Sequence, residues 1–393
     1  MYTSRSRVVP GPHRRARGPS RHAALAAALV VLGAIAACTK SGNLDPGRYG
    51  LDKSMVCIEP KSNQAKDVVC SRWACAHANL VAARWDGDAL RCAPGMIDER
   101  AHKTALGLVN AYRFLAGVPE IEPEPRWDGP AQECALLAHA NKKLSHTPTR
   151  DWACWSDRGA RASGVSLVAN RSAPLAIDAF IEDPGNDETM VHRRWLLSEK
   201  VHRLGLGSTS GYTCALVDGR QWDAVPPPRR TGADAGATAD AGAGPVEKGA
   251  EIDAGVDPNG GGASAEEVPE PSAGTELEGD TSAEKSAAEP REWVAWPPPG
   301  PVPIDAIRRT RVDDTGWTIQ SSSLDLDEAI VEVRVAGQPR PLKVLPLERT
   351  MGSLTAIRFL PKGWWTKADE RYDVHLTKGD TVIDFTVEPI MCP

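Results

Sequence analysis

Between Pro226 and Arg291 the chain reads "PPPRRTGADAGATADAGAGPVEKGAEIDAGVDPNGGGASAEEVPEPSAGTELEGDTSAEKSAAEPR", with no aromatic residue, no cysteine and one isoleucine. Such a segment has too little apolar surface to offset the entropy lost on ordering it. Residues 226–291 are therefore expected to be a disordered, solvated acidic insertion. This limits what the chain can fold into, because any packed core must come from the residues before the segment, those after it, or both together. The 393-residue chain is 41% hydrophobic, enough for cores on either side. Its length suggests two or three domains. The formal net charge of -6 leaves no global positive field and argues against a nucleic-acid partner.

The N-terminus has the layout of a targeting segment. Arg5, Arg7, Arg14, Arg15, Arg17 and Arg21 precede the apolar run "HAALAAALVVLGAIAAC", which is short for a membrane span. The run ends Ile35-Ala36-Ala37-Cys38, which resembles a bacterial lipobox. The resemblance implies a lipoprotein signal peptide over 1–37, acylation of Cys38, and a tether over 38–55. Two or three acyl chains anchor stably where one is marginal, so the implied location is the bacterial cell envelope, with a membrane as partner. Thr39, not Asp, follows the cysteine, which points to the outer membrane.

Export fixes the redox compartment. Nine cysteines less Cys38 leave eight: Cys57, Cys70, Cys75, Cys92, Cys134, Cys154, Cys214 and Cys392. An even number in an oxidising compartment reads as disulfides. "CSRWAC" at 70–75 could be half a zinc site, but no second short pair follows at finger spacing. Residues 56–96 hold four of the eight and read as a small disulfide-held extension. Cys134 and Cys154 are expected to pair, stapling the loop between them. Cys214 and Cys392 are expected to bridge the two folded regions.

Helical spacing places Ala105, Leu108, Val109, Tyr112 and Leu115 on one face of Asp98–Ala116, with Asp98 as cap and Gly117 and Pro119 as stops. A second helix is expected from "DGPAQECALLAHANKKLSH", with Pro130 in its first turn and Ala131, Cys134, Ala135, Ala138 and Leu144 buried. "APLAIDAFIED" and "ETMVHRRWLLS" read as further helices, and "HRLGLGS" and "GYTCALVD" as short strands. Beyond the insertion, "AIVEVRVAG", "LTAIRFLP", "RYDVHLTKG" and "TVIDFTVEP" alternate at period two. Residues 301–393 are thus expected to form a small antiparallel β-sandwich of immunoglobulin type, with Trp317, Phe359, Tyr372 and Phe385 in its core. "GWW" at 363–365 is a candidate exposed contact.

Four pieces in this order resemble the CAP superfamily of cysteine-rich secretory proteins, venom antigens and pathogenesis-related proteins, and its bacterial SCP-like members. They are "LVNAYRFLAGVPEI" at 108–121, "AHANKKLSHTP" at 138–148, "AIDAFIEDPG" at 176–185 and "VHRRWLLSEKVHRLGLG" at 191–207. The resemblance covers roughly 97–225 and implies an α+β fold, an α-β-α sandwich around a small antiparallel sheet. It also implies that "EWVAWPPPG" at 292–300 supplies the last strand of that sheet, after the insertion.

The family's cleft carries two histidines and two glutamates that hold a divalent metal in many members. His146 matches the first histidine and His192 the second. Val165 or Ser166 stands where the first glutamate belongs, so that carboxylate is missing. The second has no clear counterpart; Glu182, Asp183 and Glu188 lie near it in sequence. Zinc, if held, would be held weakly. A structural hydrogen-bonding role for the two histidines is equally open. Arg193 and Arg194 read as a solvated face, and His202 as a surface or strand-end residue.

No GxSxG, Walker or zincin word occurs, and Ser145 beside His146 is not a triad. The reading is a lipid-anchored envelope protein whose cleft binds a lipid, a peptide, a partner protein or, weakly, a metal. The alternative is a metal-dependent hydrolase acting on cell-envelope or extracellular substrates.

Overall fold

The computed structural model describes residues 65–78, 80–217, 222 and 291–393. The expectations for the signal peptide, Cys38, the tether and residues 226–290 lie outside the described residues. The first folded region contains α1 (Ala65–His77), α2 (Glu99–Ala116), β1 (Glu122–Pro123), α3 (Pro125–Asn141), α4 (Asp157–Gly164), β2 (Ser166–Ala169), α5 (Ala176–Glu182), α6 (Val191–Leu196), β3 (Arg203–Ser208) and β4 (Thr213–Leu216). Helix α2 starts and stops where its sequence demands. The Asp98 side chain accepts from the Ala101 amide, and Gly117 closes the helix at φ 72°. Helix α3 begins earlier than Pro130, at Pro125, with Glu124 as its cap. A proline at the first helical position loses no hydrogen bond, so Pro125 is the better start. Leu144 lies beyond the end of α3 and is exposed, against expectation.

These strands form one sheet in the order β1-β3-β4-β2, antiparallel except for β1 beside β3. Both faces are covered. Val168, Cys214 and Leu216 meet Trp127, Ala131 and Ala135 of α3. The alternate residues Leu167, Ala169 and Ala215 join Leu108, Tyr112 and Phe180 on the other side. The glycines of "LGLG" are explained by α3. A Cβ on Gly205 would lie 2.2 Å from the Trp127 Cβ, and one on Gly207 would lie 2.0 Å from the Gln132 amide nitrogen. The helix sits directly on the strand backbone, and only glycine leaves room for it.

The second region contains β5 (Trp293–Trp296), β6 (Gly300–Pro303), α7 (Ile304–Arg309), α8 (Val312–Thr315), β7 (Trp317–Ser321), β8 (Ile330–Val335), β9 (Gln338–Arg340), β10 (Leu342–Pro346), β11 (Thr355–Pro361), β12 (Tyr372–Lys378) and β13 (Thr381–Ile390). Two sheets pack together, β10-β11-β7-β5 and β6-β13-β12-β8-β9. All pairings are antiparallel except β6 with β13. The four strands expected from period-two patterning are β8, β11, β12 and β13. Trp317, Phe359 and Tyr372 are buried, while Phe385 is half-buried against Trp293. In "GWW", Trp364 stacks on Tyr372 and Trp365 is exposed.

The expected last strand of the first sheet lies elsewhere. Strand β5 pairs with β7, Trp293 opposite Ser321 and Trp296 opposite Thr318. It reaches the first region through its side chains: Trp296 packs edge-on against Tyr112 of α2, ring centroids 5.3 Å apart. The two regions share one apolar core, in which Leu108, Tyr112 and Phe180 belong with Trp296, Trp317 and Val374. Among the described residues, no helix is long and apolar enough to cross a membrane.

The disulfides also depart from expectation. Cys134 pairs with Cys214, not Cys154; Cys154 pairs with Cys92; and Cys392 pairs with Cys70, not Cys214. The reason is which way each element faces. Cys134 sits on the side of α3 that lies on β4, so its neighbour is the sheet. Cys154, in the loop after α3, meets the extension. Cys70 of α1 takes the C-terminus, so the extension is fastened to both regions.

Candidate functional site

Helix α5 is the element around which a site can be built. A cleft of about 550 Å³ runs along it, and Asp178, Ala179 and Glu182 supply one wall. Spacing of three and four residues puts these side chains on one helical face. The Asn170–Ser172 turn and Leu175 before the helix, Ser210 and Gly211 of the β3–β4 turn, Leu80 and Ala82 of the extension, and Arg309 of α7 complete the lining. Three parts of the chain therefore contribute: extension, first region and C-terminal region.

The charges in the cleft are held in place. Asp178 accepts from the Tyr112 hydroxyl at 2.6 Å and lies 3.7 Å from both Arg309 Nη1 and His77 Nε2. Burial alone would raise the Asp178 carboxyl. His77 and the Tyr112 hydroxyl outweigh this and hold it below the ordinary carboxylate range. Glu182 lies 3.4 Å from Arg311, just beyond α7. Both carboxylates of α5 thus face arginines of the C-terminal region. Arg171 also lines the cleft; it is exposed, and no ion pair engages it among the described residues.

The expected residues scatter. Glu182 lines the cleft. His146 is exposed in the α3–α4 loop, with Nδ1 2.8 Å from the Ser163 carbonyl. His192 is half-buried at the start of α6, with Nδ1 3.0 Å from Asp183 Oδ1 and its ring against Phe180. Asp183 is buried and also accepts from the Asn186 side chain at 2.7 Å and the Arg193 amide at 3.2 Å. No hydrogen bond, ion pair or ring contact joins His146 to His192 among the described residues. Ser166 is buried at the start of β2, its hydroxyl without a hydrogen-bond partner. The Glu188 carbonyl accepts from the Glu348 amide at 2.9 Å, tying this turn to the C-terminal region. His202 is exposed at a strand end, as expected.

The donor set does not fit a resident zinc ion. Val165 or Ser166 stands in the glutamate position, so that carboxylate is missing. Among the described residues, no three His, Cys, Asp or Glu side chains converge as ligands would.

Arg193 and Arg194 overturn the expectation of a solvated face, for both are fully buried. Arg193 donates to the carbonyls of Ile181, Glu182 and Gly316, and Arg194 to those of Thr189, Glu348 and Ser353. They fasten the turn that follows α5 to the loops of the C-terminal region. Sequence reasoning missed Asp178, Arg171 and Arg309 as cleft residues. The i, i+4 carboxylates of "AIDAFIE" were a readable signal for Asp178; nothing in the sequence places Arg309 beside α5.

Residues 106–215 match the family model described as the cysteine-rich secretory protein family, CAP. The chain carries a CAP domain there, and its sheet with helices on both faces agrees with the architecture expected. No curated protein and no solved structure matches the chain.

Proposed function

We propose that this is a lipid-anchored protein of the bacterial cell envelope whose CAP domain binds a short peptide or similar zwitterion in the cleft along α5, without turning it over. The observation that carries the ligand reading is the cleft's charge pattern, with Asp178 and Glu182 on one wall and Arg171 and Arg309 around them. A lipid tail placed there would desolvate Arg171, which no ion pair engages among the described residues, without compensation, whereas a ligand carboxylate would pair with it and a ligand ammonium would add to the partners of Glu182. The cleft-lining Ser172 hydroxyl points to a neighbouring carbonyl, not to an imidazole. That favours binding over acyl transfer. The anchor rests on "AIAAC" and the basic stretch before it; placement in the outer membrane rests on Thr39.

The test is a thermal-shift and calorimetry panel of a dipeptide, an alkylamine, a carboxylate and a neutral sugar. The dipeptide is expected to stabilise the protein most, and Glu182→Gln and Arg171→Gln are each expected to weaken it. Dipeptide stabilisation unchanged in both variants, or none at all, overturns the reading.

A further inference from the structure

Two tips on the first region are fastened side by side. One is the turn Asp88–Ala93, closed by paired backbone bonds of 2.8 and 2.9 Å between its ends. The Asp88 carboxylate stiffens it by accepting from the amides of Leu90 and Arg91. The other is the loop after α3, where the Asn141 side chain bonds the Ala153 amide and carbonyl, both at 3.0 Å. The Cys92–Cys154 disulfide joins the tips, and Cys154 Sγ lies 3.2 Å from the Ala89 carbonyl.

On this rigid platform Leu90 is 97% exposed. A chain that holds a leucine in water on a cross-linked turn gains nothing from it in folding. Beside it the second loop presents Lys142, Lys143 and Arg150, with half-buried Trp152 and Trp155. Lys143 lies over the Trp152 ring at 5.5 Å and Arg150 over the Trp155 ring at 4.5 Å. Across 88–92 and 141–157, Arg91, Lys142, Lys143 and Arg150 give four positive charges against Asp88, Asp151 and Asp157, the last paired with Arg150 at 3.4 Å. The local balance is thus +1, with Lys142 and Lys143 outside any ion pair among the described residues, in a chain of net charge -6.

An apolar tip flanked by tryptophans and cations suits one surface, a bilayer interface with anionic headgroups. There the leucine enters the acyl boundary, the Trp152 indole sits at headgroup level and the cations meet phosphates. We infer that this paired tip is a membrane-docking surface for anionic lipid, separate from the cleft along α5 and independent of any N-terminal anchor.

Hydrogen exchange on the full chain tests this, with vesicles of phosphatidylcholine alone or with 40% phosphatidylglycerol. The apolar N-terminal run can hold the chain on either vesicle, so the readout is local protection. We expect slower exchange of the 88–92 and 142–155 amides on anionic vesicles only, relieved by raised salt. Leu90→Asp with Lys142→Glu is expected to remove that protection while leaving exchange without vesicles unchanged. Equal protection on both vesicle types, none on anionic vesicles, or protection that survives the double variant overturns the inference. A soluble acidic peptide that protects these amides better than anionic vesicles also overturns it.

Discussion

Arg193 Nη1 donates to the Gly316 carbonyl at 2.6 Å, from a fully buried guanidinium. Three more of its N–H groups donate to the Ile181 and Glu182 carbonyls and the Thr315 hydroxyl. Burial pulls its pKa down to about 10, so it stays charged at neutral pH. A planar fork with five donors on three nitrogens can span carbonyls on several sides; a lysine ammonium has three donors on one atom and cannot reach all four partners. Arg193→Lys is therefore expected to leave buried carbonyls unpaired and to cost on the order of 3 kcal/mol. Urea titration should show the loss in a single transition seen alike by probes in both regions. A separate, earlier transition of the C-terminal sheets would mean that the regions do not share a core.

A second expectation follows from that shared core. When a protease site is placed between Thr231 and Glu289 and cut, 65–217 and 291–393 should stay together under reducing, native conditions. The Cys70–Cys392 bridge is then absent, but Trp296 on Tyr112 and the arginines of α6 remain. Gel filtration reads the outcome, and separation would show that these contacts do not suffice.

Much of this was legible along the chain, for local reasons. Asp98 and Gly117 bound α2 because caps act within a turn, and period-two runs found β8, β12 and β13, where buried residues alternate with more exposed ones, and β11, where the sequence alternates although both faces are buried. The Gly-x-Gly of β3 was visible, though its cause, the backbone of α3 lying on it, was not. What stayed hidden is non-local. "EWVAW" suits either sheet, and only the pairing with Ser321 and Thr318 decides. "RR" in α6 has the composition of a solvated face, yet carbonyls more than 100 residues away in sequence, such as Gly316 and Glu348, account for its burial. Cysteine partners were unreadable because spacing does not reveal which face of α3 Cys134 occupies.

The disulfides give a third expectation. A non-reducing peptide map should link Cys70 to Cys392, Cys92 to Cys154 and Cys134 to Cys214. Replacing both Cys70 and Cys392 by serine should cost about 2–5 kcal/mol, because the bridge closes a very long loop in the unfolded chain. Recovery of a Cys134–Cys154 peptide would contradict the packing of α3 on β4.

Acid should act through Asp178. Its folded pKa lies below the unfolded value of about 3.9. Such a group adds stability above the unfolded value and loses it as pH falls through the folded one. Unfolding free energy is thus expected to drop below about pH 4, and Asp178→Asn should remove part of that drop while lowering stability at pH 7. Tyr112→Phe, which deletes the 2.6 Å bond, should cost about 1 kcal/mol at neutral pH and shrink the acid effect in the same sense. A pH profile identical in Asp178→Asn and the parent protein would assign the acid loss to other carboxylates.

The histidines give the last test. His146 lies on the Ser163 carbonyl and His192 on Asp183, on different elements and with no contact between them. A divalent ion bound only by the folded state would raise the melting temperature as RT ln(1 + [L]/Kd). With the imidazoles on different elements, no carboxylate at Val165 or Ser166, and no three ligand-type side chains converging among the described residues, no such term is expected. Zinc up to high micromolar levels should leave the melting temperature of the parent protein unchanged at pH 7. The stabilisation by a dipeptide should survive His146→Ala, since His146 does not line the cleft along α5. A zinc shift that disappears in both His146→Ala and His192→Ala would show that the two rings come together around a metal. That result would return the hydrolase reading, because a metal-bound water would then supply the nucleophile that the cleft's side chains do not.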